Sequence, residues 1–139
     1  ARRDHLEKTI LPALEAGQVV VCDRFADSTR VYQGAARAAL RDKVDAVHAA
    51  MIGVEPDLTL VIDMDPDRAL ARGLARHSGE DRFESLGADF QHRLRAGFLG
   101  LAQEFPSRVR LVAGDASPDE VAARVLSTVR GFLAGRADG

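Results

Sequence analysis

The chain is short of the residues that mark several common functions. Cys22 is its only cysteine, so no intrachain disulfide can form. That usage fits a reducing, cytoplasmic compartment. No apolar run reaches the length needed to cross a bilayer, and the opening residues carry no signal-peptide pattern. The expectation is a protein without a membrane partner. His5, His48, His77 and His92 are scattered without the spacing of a zinc site. Neither sign of charge dominates: 19 Lys and Arg stand against 21 Asp and Glu, a net charge of −2 with a pI of about 6.1. Nucleic acid and anionic membrane surfaces are therefore poor candidates for the main partner. Internal repeats, low-complexity tracts and interdomain linkers are also lacking.

What is present is one domain's length of chain, 139 residues, 46% of them hydrophobic. Leu6, Ile10, Leu11 and Leu14 are spaced as on an amphipathic helix over about 2–16, closed by Gly17. Val19-Val20-Val21-Cys22 reads as a buried strand over about 18–22, which would bury the Cys22 thiol as an inert group. Residues from Asp27 to about Ile52 are helix-rich. Val44, Val47 and Met51 form the inner face there, and Gly34 breaks or bends the segment. Leu58-Thr59-Leu60-Val61-Ile62-Asp63 is a second strand. Asp65 is the N-cap and Pro66 the first residue of a helix to about Arg76. Residues 77–82 have a loop composition around Gly79. A helix over about 86–104 carries Phe90, Leu94, Phe98 and Leu101 and is stopped by Pro106. A third strand spans about 109–112. Ser117-Pro118-Asp119-Glu120 starts a last helix to about Leu133, leaving a frayed tail at 135–139. Strands alternating with helices predict an α/β fold with a parallel sheet. The start, Ala1-Arg2-Arg3-Asp4-His5, reads as the interior of a helix already under way. The expectation is a fragment of a longer protein.

Three clusters carry chemistry. Asp23 and Arg24 follow the first strand, where ligands of open α/β sheets lie. An acid there suits Mg2+ and an arginine suits a phosphate, although an ion pair at the sheet edge fits the same residues. Ser28, Thr29, Tyr32 and Gln33 come next. Thr29, Tyr32 and Gln33 share one helical face and offer a hydroxyl, a phenol and an amide that could read a base. Asp27 or Ser28 could instead serve as an N-cap. The third cluster is Arg72, Arg76, Asp81, Arg82 and Glu84 around the Gly79 loop. It suits a lid over phosphates, or a plain solvated face with Arg68, Arg72 and Arg76 four apart. Asp63 could touch the active centre, but with Asp65 it reads first as a shaper of the strand-to-helix turn. Met51 and Met64 read as core.

Asp23-Arg24-Phe25-x-x-Ser28-Thr29-x-x-Tyr32-Gln33-Gly34, then Pro56-Asp57-Leu58-Thr59-Leu60-x-x-Asp63-x-Asp65-Pro66, then Asp81-Arg82-Phe83-Glu84 resemble bacterial thymidylate kinases. The motifs are in the family's order and span nearly the whole chain. The resemblance implies an incomplete three-layer P-loop-kinase-like sheet. Residues 1–139 would be the C-terminal two-thirds of one nucleoside-monophosphate-kinase domain, with a lid at about 72–84. It implies transfer of the ATP γ-phosphoryl group to dTMP with Mg2+ as cofactor, in a homodimer. Asp23 resembles the acid at the phosphate and magnesium centre, and Arg24 the arginine on the dTMP phosphate. Arg2 resembles the arginine of the preceding helix, near thymine and acceptor phosphate. Ser28, Thr29 and Gln33 fall among the dTMP-binding residues, with Thr29 and Gln33 at the thymine edge. Tyr32 resembles the residue under the deoxyribose. Arg72 resembles the arginine stacked on adenine, and Arg76 and Arg82 the catalytic lid arginines. Asp81 and Glu84 resemble the acids near the sugar and its magnesium, and Ala116 the wall of the adenine pocket.

One family feature is missing: the glycine-rich phosphate loop ending in Gly-Lys-Ser/Thr. That loop supplies the amides, the lysine and the hydroxyl that hold ATP and its metal. The expectation is that these residues alone are inactive, and that apolar strand faces and unpaired edges are exposed around the absent strand. Two other readings share the scaffold: a nucleotide kinase for another base, and a non-catalytic nucleotide-binding protein.

Overall fold

The computed structural model describes residues 2–36, 40–51, 53–76 and 87–137, without the side chains of Arg2, Ala26, residues 33–36, Met51, residues 73–76 and Ala137. The loop expected at 77–82 and the lid residues Asp81, Arg82 and Glu84 lie outside the described residues. The chain divides into two compact units, Ala1–Glu55 and Pro56–Gly139. Among the described residues no helix is long and apolar enough to cross a membrane.

The first unit is helical. α1 (Arg2–His5) runs into a π-helical turn (Leu6–Ile10) and then α2 (Leu11–Glu15). The Leu11 N–H reaches back five residues to the Leu6 carbonyl. Pro12 accounts for the widening: its ring has no N–H and collides with the carbonyl four residues back. Leu6 and Ile10 are buried as expected. Leu14 is not, because the extra residue in the wide turn rotates the next turn by about 100°. The segment ends in a Schellman motif. Gly17 has φ +78°, its N–H bonds to Leu14 O, and the Gln18 N–H bonds to Ala13 O, both at 3.0 Å.

The strand expected over 18–22 is not formed. Among the described residues the only ladder joins two later strands, so this segment has no hydrogen-bonding neighbour. Val19 is 67% and Val21 92% exposed. Nothing covers the Cys22 thiol either, so the residue expected inside a buried strand is exposed.

α3 (Ala26–Ala36) and α4 (Leu40–Met51) complete the unit. Gly34 does not break α3, which continues to Ala36. A mid-helix glycine costs only about 1 kcal/mol, which packing can outweigh. On α4 the inner face is one residue off the expected one. Val47 is 61% exposed, while His48 is buried. Asp45 and His48, three apart, are the residues α4 turns toward Arg30 and Glu55.

The second unit is the α/β part. β1 (Thr59–Asp63) and β2 (Val109–Ala113) pair in parallel, Thr59 opposite Val109 and Asp63 opposite Ala113. Parallel partners need a long crossover. Here the intervening chain includes α5 (Pro66–Arg76) and α6 (Ala88–Glu104), and α7 (Pro118–Ala137) follows β2. Both α6 and α7 pack against β2. Val61, Phe90, Leu94, Leu101, Val109 and Val112 form the buried apolar set. The expected α/β class and parallel pairing hold, with a sheet of two strands among the described residues. The expected helix starts hold as well. The Asp67 and Arg68 N–H groups donate to Asp65 Oδ1 at 2.9 and 3.3 Å. Ser117 is the N-cap of the last helix: its Oγ accepts from the Glu120 N–H at 3.2 Å and its hydroxyl donates to Glu120 Oε1 at 3.1 Å. α7 runs on to Ala137, past the expected end at Leu133 and into the expected frayed tail.

Candidate functional site

In the first unit the chemistry gathers at the turn before α3. Arg24 has φ +62°, the left-handed region that a non-glycine residue enters at a cost of about 1–2 kcal/mol. Residues held in that region cluster at functional sites. The turn folds the Arg24 side chain back over α3, with its guanidinium carbon 4.5 Å from the centroid of the Tyr32 ring. A cation over an aromatic face at this distance is stabilised by the ring quadrupole. The adjacent Asp23 is exposed, with no hydrogen-bonded or ion-paired partner among the described residues. Thr29 and Tyr32 are half-buried on α3, as is Ser28. Gln33 falls on α3 and Arg2 on α1, with side chains outside the description. The turn thus brings Arg24 to Tyr32 and leaves the neighbouring carboxylate open. A guanidinium and an acid side by side can hold a phosphate and its counter-cation.

Neither Asp27 nor Ser28 is the N-cap of α3, because both lie inside its first turn. Asp27 is instead part of a partly buried charge cluster that sequence reasoning missed. Arg30, 5% exposed, donates from Nη1 to Asp27 Oδ1 at 2.9 Å, and from Nε to Asp45 Oδ1 at 2.6 Å. It also clasps Glu55 with Nη1 to Oε2 at 3.0 Å and Nη2 to Oε1 at 2.6 Å. Arg41 donates to the other Asp45 oxygen at 2.9 Å. Two cations thus face three carboxylates. The hydrogen bonds that Arg30 donates to Glu55, more than those to Asp45 and Asp27, hold its guanidinium above its ordinary pKa despite burial. Burial alone would raise Asp45. The hydrogen bonds and charges of Arg30 and Arg41 outweigh it and hold that carboxyl below the ordinary value. The available sequence signals were the Asp27–Arg30 and Arg41–Asp45 spacings, three and four residues along a helix.

His48 borders the cluster. Its ring meets Phe25 edge-on at 6.2 Å. Nε2 stands 3.3 Å from Glu55 Oε1, close enough for an ion pair if protonated. The contact lacks hydrogen-bond geometry, so both buried ring nitrogens are without a hydrogen-bond partner.

In the second unit the chemistry lies at the carboxyl ends of the strands. Asp63 ends β1, and Arg95 of α6 grips it with two bonds, Nε to Oδ1 at 2.9 Å and Nη2 to Oδ2 at 3.1 Å. The turn-shaping role expected of Asp63 therefore falls to Asp65. The Asp63 carboxylate accepts both bonds in a fork-on-fork pair, and these bonds raise the Arg95 pKa. Arg72, on α5, is exposed with no partner among the described residues, whereas Arg68 on the same face is paired with Asp115. Arg76 ends α5, its side chain outside the description. Ala116 is half-buried in the link between β2 and α7.

That link is tight. The Gly114 N–H bonds to Asp63 O at 2.7 Å. A Cβ on Gly114 would stand 2.7 Å from Ile62 Cγ2 and 3.2 Å from Asp63 O. Only glycine lets the chain leave β2 so close to the end of β1. Among the described residues no group of three His, Cys, Asp or Glu side chains could hold a metal. A Mg2+ ion of the phosphate-bridging kind needs only one or two carboxylates besides phosphate oxygens and water. Asp23, unpaired among the described residues, fits that use.

A family model for thymidylate kinase matches residues 1–125. The chain is 61% identical over 134 residues to a thymidylate kinase of Jannaschia sp. (strain CCS1), covering 96% of this chain and 64% of the relative. It is 58% identical over 129 residues to a thymidylate kinase of Ruegeria pomeroyi, covering 93% and 61%. The crystal structure of thymidylate kinase from Ehrlichia chaffeensis superposes with a TM-score of 0.69 at 29% identity, covering 93% of this chain and 58% of that one. The chain thus spans about three-fifths of the length of the relatives it matches. With a family model over 125 of its 139 residues, the chain belongs to the thymidylate kinase family.

Proposed function

We propose that these residues are the acceptor-binding and lid portion of a thymidylate kinase, the C-terminal two-thirds of a single kinase domain. A phosphate loop outside them would complete the donor site. The reaction is ATP + dTMP to ADP + dTDP, in a cytoplasmic homodimer with Mg2+. The observation that carries the reading is the left-handed Arg24, folded over Tyr32 beside an open Asp23. Strain is kept there because the guanidinium must leave the chain in the direction of α3.

Arg24 binds the dTMP phosphate in a planar fork. Tyr32 underlies the deoxyribose, leaving little room for a 2′-hydroxyl. Thr29 and Gln33 meet the thymine edge, with Ser28 and Arg2 beside them. Asp23 would hold Mg2+, which when bound would supply charge neutralisation for the transferring phosphoryl group. Arg72 stacks on adenine against the wall that includes Ala116. Arg76 and Arg82 close on the γ-phosphate, and Asp81 and Glu84 flank the sugar. The acceptor is already an anion, so no strong base is needed. Alignment and charge neutralisation by the arginines do most of the work.

The test is a coupled ADP-release assay with dTMP, dUMP, dCMP and dGMP, run on the full-length protein beside residues 1–139. The full-length protein should prefer dTMP, and the shorter chain should be inert. Preference for another monophosphate would make the protein a different nucleotide kinase. Inertness of the full-length protein toward all four would leave a nucleotide-binding protein on a kinase scaffold.

A further inference from the structure

The Arg30 cluster is larger than local stability requires. A surface pair at three-residue spacing would hold a helix turn with one carboxylate. Arg30 instead collects three, from separate places in the first unit: Asp27 on its own helix, Asp45 on α4, and Glu55 beyond the end of α4. Four hydrogen bonds leave one guanidinium from three nitrogens. Such a hub fixes α3 in both rotation and position, because sliding the helix by one residue would break all of them together.

The adjoining face of α3 carries the candidate acceptor residues. At about 100° per residue, Thr29, Tyr32 and Gln33 span one face. Arg30 lies on the adjoining flank, about 60° round from Gln33, and Asp27 nearly opposite the face. Rotation of α3 by a few degrees would leave its own backbone intact, yet swing that face and the Tyr32 ring on which Arg24 rests. We propose that Arg30 is a positioning residue: by clasping Glu55 and Asp45 it sets the rotation of α3, and so the selectivity for the acceptor base. This rests on the reading of Thr29, Tyr32 and Gln33 as acceptor-binding residues.

A lysine at position 30 keeps the charge but cannot reproduce the fork on Glu55. Glu55→Gln keeps a hydrogen-bond acceptor while removing one charge. Both variants would be made in the full-length protein and compared with wild type at equal folded fraction. The readouts are kcat and KM for dTMP, dCMP and ATP. Arg30→Lys should raise KM for dTMP about tenfold, a loss of about 1.4 kcal/mol, with KM for ATP unchanged. The ratio of kcat/KM for dTMP over dCMP should narrow with it. Glu55→Gln should move the same quantities in the same direction by less. A merely structural role would reduce active enzyme without changing base preference. Unchanged KM for dTMP and an unchanged dTMP:dCMP ratio in both variants would overturn the proposal. Should Arg30→Lys not fold, Glu55→Gln alone decides. If the wild-type enzyme does not turn over dTMP at all, the functional reading itself has failed, and the two failures are told apart.

Discussion

The two units of the chain are held by different forces. In Pro56–Gly139 the buried set is apolar, Leu101, Val109, Val112 and Leu94 among the most enclosed. Its charged groups pair at the margins, as Arg95 does with Asp63. Among the described residues of Ala1–Glu55 the buried apolar ones are Leu6, Ile10 and Val31, and Arg30, Asp27 and His48 are buried with them. An apolar core tolerates small losses and degrades gradually with each lost methylene. A charge hub fails abruptly, because removing one partner strands the rest. The first unit also carries the exposed Val19 and Val21, so its stability leans further on that hub.

The sharpest way to break the comparison is one truncation in each unit. Arg30→Ala leaves Asp27 buried and the Asp45 and Glu55 carboxylates facing one another without their shared cation. The loss should be about 3–5 kcal/mol. Leu101→Ala in the second unit removes the most enclosed side chain and should cost about 2–5 kcal/mol. The informative readout is hydrogen exchange followed by peptide mass. Arg30→Ala should deprotect α3 and α4 first, and Leu101→Ala should deprotect α6 and the two strands first. Uniform deprotection by both would mean that the units open as one, and that the contrast between them has no energetic content.

A smaller effect is expected at the exit from β2. Gly114→Ala forces a methyl group to 2.7 Å from Ile62 Cγ2, with the Asp63 carbonyl behind it at 3.2 Å. Overpacking of this kind costs about 1–3 kcal/mol. Because the carbonyl is backbone, only the Ile62 side chain can yield. Gly114→Ala combined with Ile62→Ala, which removes Cγ2, should therefore lose less in the thermal midpoint, relative to Ile62→Ala alone, than Gly114→Ala loses relative to the parent chain. An equal loss would place the strain on the Asp63 carbonyl. Smaller again is Ser117→Ala, which removes the acceptor that caps the Glu120 N–H at the start of α7 and should cost about 1 kcal/mol.

Those last features were legible in the sequence because their causes are local. Asp65-Pro66 and Ser117-Pro118-Asp119-Glu120 dictate a helix start within four residues, and the structure has both. The β-branched run at Thr59–Asp63 and the stripe Phe90, Leu94 and Leu101 were legible for the same reason. The run Val19–Val21 has equally strong strand character and forms no strand, since pairing needs a neighbour that no local pattern supplies. Pro12 shifted the phase of its helix through the turn before it, which displaced Leu14 from the expected face. The Arg30 cluster joins residues up to 25 apart in sequence, and nothing in the spacing of Glu55 from Arg30 announces it. At the candidate site the identities of Asp23, Arg24, Thr29 and Tyr32 were readable from the motif. The left-handed backbone at Arg24, which gives that motif its geometry, was not.

Acid sharpens the contrast further, with a smaller effect. Asp45 is held below its ordinary carboxyl value of 3.8 in the folded chain. In the unfolded chain it takes up a proton near that ordinary value, and in the folded chain only at lower pH. Its contribution is therefore fully present at neutral pH. It is lost as the pH falls below about 3.8 and on through the folded value. Above that window the term does not change with pH. In the first unit, protection of α3 and α4 should thus fall as the solution is acidified through this range. Asp45→Asn removes the titrating group while keeping one acceptor for Arg30. It should lower protection at neutral pH and flatten the acid limb. An acid limb of equal steepness in Asp45→Asn would assign the loss to other carboxylates of the cluster, Asp27 and Glu55, and leave Arg30 as its centre.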